Sequence, residues 1–563
     1  MIYHCEDHTC NYWDEGEKLP ERCPQCGRKL LRANEADMTG DDWTALGNTL
    51  WDAEASDKKR MVDCFRKAAY LGSAWGVCNL GICMEQGNGV EADPVQAFWL
   101  YQQAVEMGSL NAVCCLGVCY QYGIGTAPDA KQAAELYCKA AEYGSPRGQM
   151  LLACAFHDGI GVEADAAEAV HWVRAAAYQR YGEGMHRLGV CYEYGDGVEQ
   201  NWEHAVHWFR EAAESGVGVA MTDLGYCYEK GCGVEQSWEQ AFSWYRRGAE
   251  CGDPVSMCNL GLCYQMGYGV EQNWQEAIKW YEQGAQCGDL QSMHNLACCY
   301  EGGEGVEQNE DRAFYWYRRS AEGGNGSAMC NLGRCYKRGY GVEQNWQEAV
   351  KWYEQGAQCG NLQSMHNLAC CYEHGEGVEQ DMKKAICWYE RAAEQNHPAA
   401  MNSLGECYAM GRGVPRDLET AMEWYRRAAE LGEAMADYNM GWHLEQAGKL
   451  SEAYTHYRKA ADGNDDSAWW ALGRFYENGV VVAQDGKEAR RCYETGEKLG
   501  SVKCKMRLAR CKLLGIGGRR AKKAGLDLCR QALELAKESS EKEDYGYEAE
   551  MNLLRRTIAE NES

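Results

Sequence analysis

Four cysteines near the start of the chain have the residue type and spacing of a metal-binding set. Cys5 and Cys10 form one pair, and Cys23 and Cys26 form a second pair within the run Cys-Pro-Gln-Cys-Gly. The second pair makes a tight knuckle that directs two sulfur atoms at one ion. Four thiolates at about 2.3 Å complete the tetrahedral coordination that zinc adopts in structural sites. The spacing therefore predicts one structural zinc ion, with no coordination position left open for catalysis.

One of these ligands has an alternative in the sequence. The gap between Cys5 and Cys10 is longer than the usual one, and His8 follows Cys5 at a spacing that also suits a metal. The stretch resembles the short zinc ribbons that precede bacterial domains, and Cys10-Asn-Tyr-Trp resembles the run that follows a ribbon cysteine, which favours Cys10. The other interpretation is four unliganded cysteines. So short a segment has little core without a metal, and this favours zinc.

A histidine and a cysteine also stand four residues apart in two places, His294 with Cys298 and His366 with Cys370. This spacing puts both side chains on one helix face, but two ligands do not make a metal site. The pairs lie in nearly identical stretches, so the copying of two repeats explains their recurrence. No set of nucleophile, base and orienting residue stands out, and neither does a phosphate-binding loop. The sequence therefore predicts a protein without enzyme activity.

The elements that position these residues are repeats, each anchored on a Leu-Gly pair or its substitute. The fourteen anchors are Leu46, Leu80, Leu116, Leu152, Leu188, Leu224, Leu260, Leu296, Leu332, Leu368, Leu404, Met440, Leu472 and Leu508. From Leu80 to Met440 every step is 36 residues, while the first step is 34, the step to Leu472 is 32 and the last is 36. Such a period is typical of stacked units in which each unit contacts only its neighbours.

Each repeat has the pattern of two helices joined by a glycine turn, most clearly in Met257–Gly288. Apolar residues at helical spacing give the first helix one buried stripe. The turn Gly267–Gly269 ends that helix, since glycine enters the left-handed conformation without steric penalty. Asn273 is predicted to cap the second helix, with Glu276 in capping-box position. The residues that the second helix is predicted to bury are Ala277, Trp280, Tyr281 and Ala285.

The pattern Leu-Gly-x-x-Tyr, Gly-x-Gly-Val and Ala-x-x-Trp-Tyr, returning at a fixed period, resembles the Sel-one-like (Sel1-like) repeat, a relative of the tetratricopeptide repeat. The resemblance covers residues 41–515, most of the chain. It implies an α-solenoid of antiparallel helix pairs wound as a right-handed superhelix, which acts as a protein-interaction scaffold or adaptor. The first unit and residues 441–460 lack the Gly-x-Gly-Val loop, and the latter are closer to a tetratricopeptide unit.

These patterns divide the chain into three parts. Residues 1–33 are the zinc-ribbon-like module, residues 41–515 are a solenoid of about fourteen units, and residues 516–563 hold a C-terminal helix and a capping helix. A capping helix is expected because the end of a repeat array needs a polar surface. The predicted fold class is thus all-α, an α-solenoid of 36-residue tetratricopeptide-like repeats preceded by a small zinc ribbon.

Charge and hydropathy disfavour several classes of function. A net charge of −27 and a pI of about 5.0 argue against nucleic acid and against anionic membrane surfaces, since both are bound through Lys and Arg. A nucleic-acid-associated protein using the zinc ribbon is an alternative, but the ribbon is acidic. The chain has no apolar run of about eighteen residues, and its start lacks the basic and apolar regions of a signal peptide. The sequence therefore predicts a cytoplasmic protein whose 32 cysteines stay thiols.

Many cysteines recur three residues after the anchor, on the buried stripe. They are Cys83, Cys119, Cys191, Cys227, Cys263, Cys299, Cys335, Cys371 and Cys407. A free cysteine acts there as a small hydrophobic residue. The alternative is the disulfide framework of some secreted Sel1-like proteins, a group linked to penicillin binding, which would favour a β-lactamase-like hydrolase. No recurring cysteine on the second helix supplies the partner that such a framework needs.

A partner-binding surface can be located from helix geometry. At about 100° per residue, the face opposite the buried stripe carries the positions two before, two after and five after the anchor. The resemblance implies that first helices line the concave side of the array. The candidate partner-binding residues are His186, Glu193, Tyr226, Glu229, Leu262, His294, Glu301, Arg334, Lys337, His366 and Glu373. This aromatic and acidic lining favours a protein or peptide partner that carries basic and apolar residues.

An asparagine recurs one residue before the anchor, beside this surface. The positions are Asn79, Asn259, Asn295, Asn331, Asn367 and Asn439. These amides could bond the backbone of a bound peptide, or they could bond the turn of a neighbouring repeat. The sequence favours the second interpretation and leaves the first open.

Overall fold

Paired α-helices follow one another in the computed structural model, which describes residues 2–5, 13–15, 30–33, 38–51, 55–542 and 548–562. The chain divides into two compact units, residues 1–292 and residues 293–563. Each unit buries its own hydrophobic clusters. None of the helices in these described ranges has both the length and the apolar character needed to cross a membrane.

Three short strands precede the helices of unit 1. They are β1 (Ile2–Cys5), β2 (Trp13–Glu15) and β3 (Leu30–Ala33), and β1 lies in the middle, antiparallel to both neighbours. The backbone of Cys5 ends β1, whereas Cys10, Cys23 and Cys26, together with His8, lie outside the described residues. The zinc ribbon therefore stays a prediction.

In unit 1 the helices alternate between the first and second helices of successive pairs. They are α1 (Gly40–Thr49), α2 (Ala55–Tyr70), α3 (Ala74–Gln86), α4 (Pro94–Glu106), α5 (Leu110–Tyr122), α6 (Ala130–Glu142), α7 (Pro146–Asp158), α8 (Ala166–Tyr178), α9 (Gly182–Tyr194), α10 (Trp202–Glu214), α11 (Gly218–Lys230), α12 (Trp238–Glu250), α13 (Pro254–Met266) and α14 (Trp274–Gln286). Every anchor of this unit, from Leu46 to Leu260, is the seventh residue of an odd-numbered helix. The odd-numbered helices are therefore the first helices of the repeats.

The same alternation continues in unit 2, where the division of the chain falls within α15. The helices are α15 (Leu290–Gly302), α16 (Glu310–Glu322), α17 (Gly326–Arg338), α18 (Trp346–Gln358), α19 (Leu362–His374), α20 (Met382–Glu394), α21 (Pro398–Met410), α22 (Leu418–Glu430), α23 (Ala434–Gln446), α24 (Leu450–Asp462), α25 (Asp466–Asn478), α26 (Gly486–Lys498), α27 (Val502–Leu514), α28 (Lys522–Lys542) and α29 (Glu548–Glu562). The predicted all-helical solenoid of paired helices is confirmed for residues 40–562 where the structure describes them.

The glycine of the Leu-Gly pair lets a tyrosine of the second helix pack directly on the first helix. Tyr281 is fully buried, and a Cβ atom at Gly261 would lie 2.6 Å from its Cε1. Leu260 and Cys263 are buried beside this contact. Trp280, which was expected to be buried, is only half-buried, because it lies at the edge of this core rather than in it.

The glycine turn and the polar residues around it close each helix pair. Gly267 and Gly269 have φ angles of +75° and +69°, in the region that favours glycine. Gln272 follows the turn, and its Nε2 donates to the carbonyl oxygen of Gln265 at 2.7 Å. The Asn273 side chain then accepts from the backbone N–H of Glu276 at 3.2 Å, as a cap of α14. These bonds satisfy backbone groups that helix ends leave without intrahelical partners.

The recurring cysteines after the anchors are buried thiols, each at most 3% exposed. Burial raises the pKa of the Cys263 thiol to about 12, so that thiol stays protonated and packs as an apolar group.

At the C-terminal end of unit 2, Cys529 of α28 and Leu554 of α29 share a hydrophobic cluster with Leu513 of α27. The helices α28 and α29 therefore cover the side of α27 that would otherwise be exposed at the end of the array.

Candidate partner-binding surface

Apolar side chains lie exposed on the first helices α9, α11 and α13 of unit 1. Three positions relative to the anchor supply them, namely five before, two after and six after. The residues are Tyr194, Val219, Tyr226, Val255, Leu262 and Met266, each between 40% and 72% exposed. We name this set the α9–α13 face. Exposed apolar groups gathered on one face are typical of protein-interaction sites.

The angular position of these residues explains why they are exposed. At about 100° per residue, the three positions lie roughly 200° to 240° around the helix from the anchor. The positions two before and five after the anchor lie at roughly 160° and 140°, on the other flank of the helix. The contacts described next show that this flank faces neighbouring helices.

The position two before the anchor joins successive first helices. His186 Nε2 lies 2.7 Å from Asp223 Oδ2 across α9 and α11, and both residues are only partly exposed. His294 Nε2 lies 3.0 Å from the Asn331 side-chain nitrogen across α15 and α17. His366 Nε2 lies 3.2 Å from the hydroxyl oxygen of Ser403 across α19 and α21. These three predicted partner-binding histidines are thus committed to contacts within the array.

Three of the recurring asparagines take part in the same contacts, namely Asn331, Asn367 and Asn439. Asn331 bonds His294, and Asn367 donates to Cys330 Sγ at 3.4 Å. Asn439 donates to the side-chain oxygen of Asn402 at 3.0 Å. In each case the asparagine bonds the side chain two before the preceding anchor, on the preceding first helix. For these three residues, the observed interaction is therefore a bond to a neighbouring repeat. The bonded side chain lies on a helix of that repeat and not in its turn.

The position five after the anchor holds a hydrogen-bond acceptor for the buried tyrosine of the same repeat. The hydroxyl of Tyr317 donates to Glu301 at 2.7 Å, and the hydroxyl of Tyr389 donates to Glu373 at 2.7 Å. Glu229 accepts from Tyr245 in the same way, at 2.8 Å. These three predicted groove glutamates therefore stabilise their own repeats.

Glu193 differs from the other three because its repeat carries a phenylalanine, Phe209, where they carry the tyrosine. Burial, reinforced by the negative charge of Asp223, raises the pKa of the Glu193 carboxyl. Glu193 therefore lacks a tyrosine partner on its second helix, and a hydrogen bond with Tyr194 of the α9–α13 face opposes part of this rise.

The predicted basic residues of unit 2 are neutralised by ion pairs. Arg334 Nη2 donates to both carboxylate oxygens of Glu301, at 2.8 and 2.7 Å. Lys337 Nζ lies 3.7 Å from Glu376 and 4.9 Å above the ring of Trp346. These contacts offset the positive charge that the sequence alone displays at this position.

Tyr226 and Leu262 are the predicted site residues that the structure leaves well exposed, at 43% and 40%. The neighbouring residues Tyr194 and Met266 were not predicted, because only positions up to five after the anchor were assigned to the surface. The signal was present, since the position six after the anchor carries an apolar residue in both repeats. A helical wheel extended by one residue would have included both.

The two histidine–cysteine pairs lie inside the network described above. His294 Nε2 is 3.8 Å from Cys298 Sγ, and the hydroxyl oxygen of Tyr317 lies 3.2 Å from the same sulfur. In the second pair, burial lowers the pKa of His366 to about 4, so that imidazole is neutral near neutral pH. No group of three or more metal-ligand side chains occurs within the part of the chain that the structure describes. The contacts of both pairs are those of a packed polar network.

The Sel1 repeat family model matches this chain twelve times. The matched residues are 76–109, 112–145, 146–181, 182–217, 218–253, 254–289, 290–325, 326–361, 362–397, 398–433, 434–465 and 468–501. No curated protein matches the chain.

Two solved structures resemble the chain in sequence, and the first of them also shares its architecture. The first is c5321, a protective antigen of uropathogenic Escherichia coli strains displaying an SLR fold, at 28% identity and a TM-score of 0.54 over 76% of this chain and 94% of that one. The second is a Sel1 repeat protein from Oxalobacter formigenes, at 34% identity and a TM-score of 0.40 over 43% of this chain and 96% of that one. The repeated family match spans most of the residues, and the first structure supports the fold independently. The chain belongs to the Sel1 repeat family.

Proposed function

We propose that this chain is a scaffold or adaptor that holds a partner protein or peptide on the α9–α13 face. Sel1-repeat solenoid proteins are typically protein-interaction scaffolds. The observation that carries the assignment to this face is the set of exposed apolar side chains on three consecutive first helices. First helices line the concave side in repeat proteins of this type, and we place the partner on that side.

The proposal is supported by how the other surfaces of each repeat are used. The stripe around the anchor is buried between helices, so it has no room for a partner. On the second helices, Trp244 stacks under Arg247 at 4.2 Å, and Trp316 lies 5.7 Å from Arg319. Such pairs cover the large aromatic rings with a cation from the same helix. Within the α9–α13 face, Lys230 Nζ lies 5.7 Å from the ring of Tyr226, and the other exposed apolar side chains offer area that a partner can bury.

We propose a partner segment that combines apolar and basic residues. The carboxylates of Glu193, Asp223 and Glu229 border the face, and the whole chain has a net charge of −27. Apolar side chains of the partner would supply most of the affinity, while basic side chains would speed association and favour the correct partner. The same acidic balance disfavours the alternative of a nucleic-acid-associated protein.

The double substitution Tyr226→Ser with Leu262→Ser is expected to weaken partner binding by more than about tenfold, because two exposed anchors at the centre of the face are lost. Affinity capture from extracts of the native cell, quantified by mass spectrometry, identifies the proteins retained by the unsubstituted chain. The dissociation constant of the strongest of these is then measured for each variant.

The matched control replaces one tyrosine and one leucine that are exposed elsewhere, Tyr143→Ser with Leu431→Ser. Both residues follow the ends of second helices and are 69% and 48% exposed. The control is expected to keep full affinity, and both variants should keep the far-ultraviolet circular dichroism of the parent. Equal weakening by the two variants would rule out the α9–α13 face as the binding surface.

We also propose a cytoplasmic location, in a bacterial cell. The support is the set of buried cysteines after the anchors, which are free thiols and thus suit a reducing compartment. The two relatives named above come from bacteria.

We further propose that residues 1–33 hold one structural zinc ion through Cys5, Cys10, Cys23 and Cys26. The register of the sheet supports the fit. Cys5 pairs with Leu30, four residues after Cys26, and the adjacent His4 pairs with Trp13, three residues after Cys10. Four residues span at most about 14 Å, so this register is compatible with a set of zinc ligands that includes Cys5. A bound zinc ion would tie the loops of a module that is too small for a large core.

Elemental analysis of the purified full chain is expected to find about one equivalent of zinc, and Cys26→Ser is expected to remove most of it. The exposed thiol of Cys359 provides the control, since Cys359→Ser should leave the zinc content unchanged. Retention of zinc by Cys10→Ser together with its loss in His8→Ala would assign His8 as the ligand. Less than about half an equivalent in the parent chain, grown with ample zinc, would contradict the proposal.

A further inference from the structure

Two cysteines of unit 1 occupy positions that elsewhere in the array place side chains in direct contact. Cys78 stands two before its anchor on α3, and Cys115 stands one before the next anchor on α5. The same two positions hold His186 and Asp223, whose side-chain atoms are 2.7 Å apart. At the same two positions of another pair of repeats, Cys330 Sγ lies 3.4 Å from the side-chain nitrogen of Asn367, so the repeat geometry brings the thiols of Cys78 and Cys115 close together.

A guanidinium group from a third repeat reaches this thiol pair. Arg147 belongs to α7, and its Nη1 lies 3.6 Å from Cys115 Sγ and 3.1 Å from the side-chain oxygen of Asn111. The hydrogen bond from Cys78 and the positive charge of Arg147 lower the pKa of the Cys115 thiol, against the opposing effect of burial. The same hydrogen bond and burial raise the pKa of Cys78. Of the two thiols, Cys115 is therefore the one that ionises more readily.

A cavity gives small solutes access to the guanidinium group. It has a volume of about 550 Å³ and lies between the first turns of α3, α5 and α7. Trp75, Asn111, Ser145 and Arg147 are among the residues that line it. Cys115 is 5% exposed and does not itself line the cavity, but the guanidinium group that lines it is 3.6 Å from the Cys115 sulfur. A small movement of the Arg147 side chain would therefore open the sulfur to a molecule as small as hydrogen peroxide.

We propose that Cys115 is a site of oxidation by hydroperoxides and that Cys78 is its resolving thiol, so that oxidation links α3 to α5 by a disulfide. The Cys115 thiolate attacks one peroxide oxygen, the O–O bond breaks, and hydroxide leaves. The resulting sulfenic acid is attacked by the Cys78 sulfur, which forms the S–S bond and expels the hydroxyl group. The Cys78 proton and a solvent proton convert both leaving groups to water. Two thiols lose two electrons in total, and one peroxide gains them.

Arg147 has a positioning role in this reaction, because its charge stabilises the attacking thiolate and it does not itself form or break a bond. The effect depends on the thiolate fraction, which for a thiol with a pKa of about 7 falls about fivefold at neutral pH when the pKa rises by one unit. Removal of the charge should therefore slow the first step and leave the second step unaffected.

The test treats the reduced full chain with a few equivalents of hydrogen peroxide near neutral pH, blocks remaining thiols with N-ethylmaleimide, and maps peptides without reduction. The expected product is a Cys78–Cys115 disulfide that forms at least about tenfold faster than oxidation of Cys330, a buried thiol whose pKa is raised by burial. In Cys78→Ser, dimedone added with the peroxide should trap the sulfenic acid of Cys115. Arg147→Gln should slow disulfide formation about fivefold.

The matched control is Arg180→Gln, which removes an exposed arginine paired with Glu211 and should leave the rate unchanged. Comparison of Cys115 with Cys330 needs only the unsubstituted chain, so the proposal stays testable if a variant fails to fold. Equal oxidation of these two thiols, a Cys115 disulfide to a cysteine other than Cys78, or an unchanged rate in folded Arg147→Gln would each overturn it.

Discussion

The substitution Gly269→Ala is expected to lower the free energy of unfolding by about 3 kcal/mol or more. A positive φ angle costs an alanine about 1–2 kcal/mol. In addition, the new Cβ atom would lie 2.2 Å from the carbonyl oxygen of Trp238, in the first turn of the preceding second helix. That neighbour is backbone, which cannot move aside without disturbing α12, and overpacking of this kind typically costs about 1–3 kcal/mol.

The control for this prediction is the other glycine of the same turn. Gly267 also has a positive φ, but its added Cβ would meet Gln272 at an ordinary distance of 3.6 Å. Gly267→Ala should therefore cost only the backbone term, about 1–2 kcal/mol. Urea unfolding of both variants, followed by far-ultraviolet circular dichroism, gives the two midpoints. Unfolding of the two variants at the same urea concentration would contradict the close packing of Gly269 against the preceding repeat.

The two glycines illustrate which parts of the fold could be predicted from the sequence. The period and the turn glycines are local signals, and they predict helix pairs whose first members all carry the anchor at the same place. The need for Gly269 to lack a side chain was not visible, because the atom it approaches belongs to a residue 31 positions earlier. Local patterns report the helices, while contacts between repeats require the positions of both partners.

The candidate surface was predicted only in part, because it too depends on contacts between repeats. A wheel drawn for one helix correctly separates the buried stripe from the rest, and it identifies Tyr226 and Leu262 as outward-facing. It cannot show that the next first helix covers the side of α9 that carries His186. Nor can it show that the Tyr317 hydroxyl on the second helix donates a hydrogen bond to Glu301. Both contacts join residues far apart in the chain. The exposed part of each first helix is therefore narrower than one helix alone indicates.

The clearest consequence concerns Glu373, which the sequence places in the groove and the structure buries. Its side chain is 8% exposed, and one carboxylate oxygen lies 2.7 Å from Arg412. The other oxygen accepts the hydroxyl of buried Tyr389 at 2.7 Å. Both hydrogen-bonding sides of the carboxylate are thus used within unit 2. A substitution here should act on folding before it acts on any partner.

Glu373→Lys is accordingly expected to lower the free energy of unfolding by about 3 kcal/mol, the lower end of the cost of breaking a buried ion pair, because Arg412 is 41% exposed and water screens it in part. The matched control is Glu379→Lys, at an exposed glutamate in the following turn, which should change stability by less than about 0.5 kcal/mol. Urea unfolding measures both. The double variant Glu373→Lys with Arg412→Glu restores opposite charges but leaves the Tyr389 hydroxyl without its acceptor, so only part of the loss should be recovered. If Glu373→Lys were as stable as its control, the carboxylate would be free to bind a partner, and the position five after the anchor would return to the binding surface.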